Sequence, residues 1–479
     1  MPPHTDISTP AADARARVND PSVDTPNEDG ALALTLDPEP RSWRGMVRTP
    51  PSDARSRRFR EQLALPTNMP IVMSGHQAQL WHPGILAKLF AAQSLARRTG
   101  AAIAWLVVDH DHSRPFQTRL PARDEHARLR NLDWPLDGER GAHPSVPLEA
   151  RAITPHDPTL PRGWSLDGPF GARADELVAS MSRHSSAPNA AVQVTRATLD
   201  LLDDVLGVPA PIVVYDSDLA RTDLFAEIIE RARTRPQAMH SIYNDVVARF
   251  PQAELRALRT DPDLGHELPL WKRVAGHGTT ALFESDLDDL PPEAMLPRAL
   301  LTTGMMRLAG CDLFIHGTGG RLYEPVNDAW LPRWLSADQT NAGLAPFTTA
   351  SADLPLDLPG ELVTLSDAAR ARWRAHHARH HPIELGDADA QRERDALVAQ
   401  IARAPRASTE RRALYARLHE LLDRHARAQE SRLTAMGEHA RDLTHAASDA
   451  ELRTDRTWPF FLHPHERLAA LRNAIDARL

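Results

Sequence analysis

An α/β fold is predicted: a parallel-sheet core with connecting insertions, followed by a long C-terminal helical hairpin forming a coiled-coil arm. Two observations predict it. Apolar runs at 71–73, 102–108, 211–215 and 312–316 each lead into acidic or histidine residues, and helical spacing separates them. Strand and helix alternating in this way build parallel sheets. From about residue 366 the composition shifts to Ala, Arg, Leu, His and Glu with almost no glycine, and leucines recur at helical spacing.

The first βαβ unit organises the chain. Residues 71–73 suit a buried strand, and a turn is expected at Ser74-Gly75-His76-Gln77. A helix then opens at His82-Pro83-Gly84, with proline near the first helical position, where its missing N–H costs least. Ile85, Leu86, Leu89, Phe90 and Leu95 give that helix an apolar face, and Thr99-Gly100 closes it. A second strand ends on Asp109.

Residues 1–40 are rich in Pro, Asp, Ala and Thr without apolar period, and a mobile arm over roughly 1–45 is expected. The core spans 46–365. Irregular insertions are expected near 113–187, with a short helix at 172–183, and near 251–295. Helices are expected at 190–206, 222–235, 238–250 and 297–308. In the hairpin, 366–447, Leu397 and Ile401 precede a break at Ala404-Pro405, and Leu414 to Leu443 mark a second long helix. The aromatic tail, within 448–479, is expected to fold back on the core.

Composition excludes several classes. The 479 residues allow two or three cores, and the net charge of −8 argues against a general nucleic-acid binder. No run approaches the ~20 apolar residues of a membrane span. The N-terminus lacks the basic-then-apolar order of a signal peptide, so a cytoplasmic location is expected. The single cysteine, Cys311, excludes an intramolecular disulfide framework or Cys-type zinc site and reads as a buried thiol. Arginine is used nearly everywhere. The two lysines, Lys88 and Lys272, therefore stand out, and Lys88 is a candidate for its compact, tunable ammonium.

Three constellations carry chemistry. Gly75, His76, Gln77, His82, Gly84 and Lys88 fit an anion site, because a glycine turn and free helix N–H groups attract phosphate and Lys88 lies one turn farther along. Asp109-His110-Asp111-His112 stands at a strand exit. There alternate residues share a face and fit a metal site, a general base, or recognition of an amine or hydroxyl. His316, Gly317, Thr318, Gly319, Gly320, Arg321, Tyr323 and Glu324 follow the fourth strand, where glycines admit a ligand to the backbone. Asp216 and Asp218 close the third strand. His376, His377, His380 and His381 imitate metal spacing, but flanking arginines favour a solvated helix face.

Gly75-His76-Gln77, the glycine-led helix with Lys88, and Asp109-His110-Asp111 resemble the first βαβ motif of the bacillithiol-biosynthesis cysteine-adding enzymes. The likeness is good over about 70–112 and looser beyond. The chain differs from the family pattern at His76, where glutamine is usual, and at His82-Pro83. The resemblance implies a Rossmann-like core, connecting inserts, a coiled-coil arm used in homodimerisation, and joining of cysteine to a glucosaminyl-malate acceptor with nucleotide involvement.

The leading expectation is an ATP-using ligase joining an amino acid to an amine or amino sugar, with magnesium accompanying ATP. Gly75, His76, His82, Gly84 and Lys88 would stabilise transferred charge, and Asp109 or Asp111 would orient or deprotonate the amine. One alternative is metal-dependent hydrolysis through His110, Asp111, His112 and His316. Another is a non-catalytic nucleotide-binding protein. Small-molecule substrates and a homodimer through the hairpin are expected, without nucleic acid or membrane.

Overall fold

The computed structural model describes residues 32–110, 114–138, 151–166, 168–274, 278–335, 343–358 and 363–479. Within them the chain is a mixed α/β protein. Its strands are β1 (Ala33–Asp37), β2 (Ile71–Gln77), β3 (Ala102–Val108), β4 (Gln117–Arg123), β5 (Leu129–Pro135) and β6 (Ile212–Tyr215) in the first half. The second half adds β7 (Thr260–Asp261), β8 (Gly265–Val274), β9 (Gly278–Phe283), β10 (Met295–Pro297), β11 (Leu313–His316) and β12 (Phe347–Asp353).

The central sheet has the order β1-β12-β11-β2-β3-β6. All neighbours are parallel except β1, which runs antiparallel along β12. Side chains alternate between two faces, and each face meets its own core. Val72, Trp105, Val107, Leu313 and Ile315 join the Pro83–Thr99 and Ala190–Leu206 helices on one side. Ile71, Met73, Ala104, Leu106 and Phe314 join the helices Asp223–Thr234, Pro236–Val247, Ala299–Met305 and Thr318–Leu335 on the other. Asp312 fixes the register at the strands' N-terminal ends. Its carboxylate accepts from Ile71 N at 2.7 Å and pairs with the buried Arg60 at 2.9 Å, so β2 and β11 are pinned side by side.

Several expectations need correction. The segment Ser74-Gly75-His76-Gln77 is the second half of β2, not a turn, and it pairs with β3 through Gln77↔Val108. A Cβ at Gly75 would meet Leu106 O at 2.4 Å, so glycine here permits close strand approach. The region expected to be a mobile arm holds β1 from Ala33, whereas residues 1–31 lie outside the described ones. The first insertion carries the β4–β5 hairpin and a longer helix, Gly168–Arg183. The second is an antiparallel sheet of β7 to β10. The expected glycine loop is the start of the Thr318–Leu335 helix.

The C-terminal region also differs in detail. Helix Leu365–His377 packs on Glu430–Thr454, and Ala388–Arg403 packs on Thr409–Ala428, giving two helix pairs in succession. Each has a small apolar cluster of its own, Leu397, Ile401, Leu414 and Leu421 in one and Ala378, Leu385 and Leu433 in the other. His376 and His380 are exposed on the first pair. The tail lies against the core, burying Trp458, Phe460 and Leu462, with Phe460 N donating to Trp81 O at 2.7 Å.

Candidate functional site

The C-terminal ends of the parallel strands share one edge. Gly75 stands level with Leu106, Ser74 with Ile315, and Tyr215 with Val107. The exits therefore bring His76 and Gln77, Asp109 and His110, Asp216 and Ser217, and His316 and Gly317 to that edge. The chain builds outward from β2 through β3 to β6, then returns to place β11 and β12 on the other side. The order thus reverses between β2 and β11, and ligands of open α/β sheets bind at such a crevice.

Lys88 is the centre of one face. Its ammonium donates to Gly75 O at 2.5 Å and lies 5.4 Å from the centroid of Trp105. Only 5% of the residue is exposed, and burial drags its pKa down to about 7. Trp81 packs against Trp105 with ring centroids 4.4 Å apart. His76 accepts at Nε2 from the Gln79 amide at 2.7 Å, which requires a neutral imidazole. Burial, and then the nearby Lys88, pushes its pKa well below the ordinary value. His82 caps the following helix, its Nδ1 accepting from Gly84 N at 3.1 Å. Burial holds it near 3, with Arg456 and Lys88 adding repulsion.

Those contacts correct one expectation. The Pro83–Thr99 helix does not offer free N–H groups: Pro83 has none, Gly84 N is taken by His82, and Ile85 N donates to His82 O at 2.9 Å. A second helix starts at the crevice, at Thr318. Any helix leaves its first N–H groups without intrahelical acceptors. At Gly319 this occurs beside open space, because a Cβ there would meet nothing within 4 Å. At Gly317 a Cβ would meet only Lys88 Cδ, at 3.9 Å. Lys88 thus belongs with Gly317 as well as with Gly75.

His316 and Glu324 lie on the opposite face. His316 Nε2 is 3.2 Å from Glu324 Oε1, and its ring stacks on Phe314 and meets the edge of Tyr323. Glu324 also takes Arg307 and the Thr303 hydroxyl. Burial alone would raise its pKa, but His316, Arg307 and Thr303 outweigh it and hold the carboxyl near 2. Gly320 packs directly on the His316 ring, where a Cβ would lie 2.3 Å from Nδ1. Glu324 is therefore a structural anchor rather than the ligand contact the sequence suggested.

Asp109 and His110 follow β3 and take different partners. Asp109 accepts from Ser217 N at 2.8 Å and from Ser217 Oγ at 2.6 Å. Burial, with the repulsion of Asp216, lifts its pKa to about 6 against the bonds from Ser217. His110 Nδ1 lies 3.0 Å from Asp216 Oδ2, both side chains being at most 4% exposed. Asp216 also accepts from the Thr302 hydroxyl at 3.0 Å.

Other candidates stay apart. Asp218 pairs with Arg221 at 3.1 Å on the surface, and Arg321 points toward Asp37 at 3.6 Å. Lys272 pairs with Asp286 at 2.7 Å in the second insertion. Asp111 and His112 lie outside the described residues. Among the described residues, no three His, Cys, Asp or Glu side chains gather as a metal-holding group. Trp105, Ser217, Thr302, Arg307 and Thr303 escaped sequence reasoning. Ser217 alone had a local signal, being flanked by two candidate aspartates.

No protein-family model matches the chain, and no curated protein matches it either.

Proposed function

We propose that this protein is a nucleotide-dependent ligase with a Rossmann-like core, joining an amino acid to an amine or amino-sugar acceptor. The single observation that carries the reading is the buried Lys88 at the β2/β11 crevice, its pKa brought down to about 7, beside the open helix start at Gly317 and Gly319. A buried ammonium held only by a carbonyl and an aromatic ring stays costly, and an anion beside it would offset that cost. A phosphate at the crevice would supply that anion while taking the N–H groups of Thr318, Gly319 and Gly320. ATP with magnesium supplies the leaving group that activates the carboxylate of the amino acid.

The remaining residues divide the work. Gly75 turns its carbonyl to hold Lys88, while His76 and His82 wall the same side of the crevice and Gln77, the next residue of β2, leaves toward the other face. Asp109, lifted to about 6, holds the acceptor amine and takes up its proton in the neutral range. Cysteine is the amino acid that the resemblance to the bacillithiol-biosynthesis enzymes names. The helical hairpin, a coiled-coil arm in this reading, joins two copies into a homodimer.

Calorimetry tests the central assignment. Lys88→Ala removes a charge-assisted contact worth about 1.5–3 kcal/mol, so ATP affinity falls about 10- to 150-fold in a folded variant. Unchanged ATP affinity would reject the assignment. ATP bound intact, with no turnover across a panel of amines, would favour a binding protein over a ligase.

A further inference from the structure

We propose that Arg256, Arg259 and Arg298, gathered on Glu267 in the second insertion, form a binding site for a phosphate dianion. The inference goes beyond the ligase reading and concerns a different part of the chain from the crevice.

Strand pairing builds the cluster. Arg256 and Arg259 precede the short strand β7, which runs antiparallel to β8 with Thr260 level with His266. Glu267 is the next residue of β8, and its carboxylate accepts from Arg259 N at 3.0 Å. Arg298 follows β10 directly, and that strand pairs with β8 through Pro297↔Leu270. Three guanidinium groups therefore meet on one fully buried carboxylate. Arg256 Nη2 lies 2.5 Å from Glu267 Oε1, and Arg298 Nη2 lies 2.8 Å from the same oxygen. Arg259 Nε lies 2.9 Å from Oε2. Burial works against the charge of Glu267, but these arginines outweigh it and keep the carboxyl ionised.

The charges do not balance. Among the described residues, Glu267 is the one carboxylate within ion-pair distance of these three arginines. Two other carboxylates of this region are used elsewhere. Asp261 accepts from Asp263 N and Leu264 N at 2.9 and 3.1 Å, and Glu284 from His266 N at 3.4 Å. Three guanidinium groups on one carboxylate leave two positive charges over, which a dianion would neutralise.

The donors are set in place as well. Arg259 gives Glu267 its backbone N–H and Nε, while its two terminal nitrogens make no hydrogen bond among the described residues. Its side chain is 61% exposed, so a ligand can reach that end. Arg256 has both terminal nitrogens on Glu267 and leaves Nε unbonded among the same residues. Aromatic rings back two of the groups: Arg259 lies 5.6 Å from the Phe283 centroid and Arg298 4.0 Å from that of Trp271. A planar fork held this way matches two oxygens of one phosphate, a geometry that a spherical halide cannot use. Inorganic phosphate and phosphate monoesters share that chemistry.

The test is calorimetry on the full chain carrying Lys88→Ala, which removes the crevice ammonium. The probes are inorganic phosphate and glycerol phosphate, titrated at an ionic strength fixed with sodium chloride. The Lys88→Ala chain is expected to bind phosphate, and adding Arg259→Ala is expected to weaken binding about 10-fold or more. Arg259→Lys keeps the charge without the fork and should recover only part of that loss. Glu267 retains Arg256 and Arg298 in both variants, and melting temperature reports whether the fold is intact. Should Arg259→Ala fail to fold, Arg259→Lys decides alone: a partial loss supports the site and unchanged affinity overturns it. Tighter binding of glycerol phosphate assigns an ester, and tighter binding of inorganic phosphate assigns the free ion; either supports the site. No phosphate binding in the Lys88→Ala chain, or the same affinity after Arg259→Ala, overturns the proposal. Such a failure leaves the ligase reading standing, because that reading is judged by the effect of Lys88→Ala on ATP affinity.

Discussion

At the scale of single residues, Lys88 shows a site written as instability. Its pKa falls from an ordinary 10.5 to about 7 because burial penalises the ammonium. Between those values the unfolded chain holds a proton that the folded chain lacks, so stability rises with pH from about 7 toward 10.5. Below pH 7 the folded ammonium remains charged and the penalty is complete. Lys88→Met keeps the stem and discards the charge. Its melting temperature at pH 7 should therefore exceed that of wild type, by stability on the order of 3 kcal/mol, with the gap closing by pH 10. A gap that is absent, or that widens with pH, would show that the Gly75 carbonyl and the Trp105 ring already compensate the charge. Loss of ATP binding in the same stabilised variant would be the usual trade between function and stability.

At the scale of elements, glycines at the crevice separate architecture from ligand access. Gly75→Ala would drive a methyl into Leu106 O and part β2 from β3, costing about 1–3 kcal/mol in denaturant unfolding. Gly319→Ala meets no atom within 4 Å. It should leave stability unchanged or raise it by up to about 1 kcal/mol, because alanine is the better helix former, while weakening ATP binding. If Gly319→Ala binds ATP as wild type does, the phosphates do not lie on that helix start. The same stretches show what sequence could and could not reveal. Ile71, Val72 and Met73 are continuous and apolar, so β2 was legible, but its polar half looked like a turn. That half is a strand because β3 supplies hydrogen-bond partners through Val108. The strand β12 was missed because Thr348, Thr349 and Ser351 give no apolar run. It is buried by its place between β1 and β11 and by the Pro83–Thr99 helix above it. His110 and Asp216 were each visible as strand-end polar residues, whereas their pairing depends on β6 lying beside β3.

At the scale of the whole molecule, the C-terminal helical region carries the most exposed large apolar side chains among the described residues. Leu365, Trp373 and Ile383 are 61%, 54% and 51% exposed, more than the other large apolar side chains exposed among the described residues. Val398 and Tyr415, on the Ala388–Arg403 and Thr409–Ala428 helices, are also exposed. Each pair buries only a small cluster internally, so the outer faces gain most from a further partner. A second copy of the same arm offers the matching set, since an isologous contact presents each residue twice. Light scattering at micromolar concentration should report a dimer. Leu365→Asp combined with Trp373→Asp should give a monomer with little change in melting temperature, because both side chains already face water in a single chain. A single chain in wild type, or a dimer that survives removal of the Ala388–Ala428 pair together with both aspartate substitutions, would place the interface elsewhere or remove it. ATP affinity measured in the monomeric variant then separates the two halves of the proposal. The crevice between β2 and β11 is built from one chain, so its affinity should persist when the arms come apart.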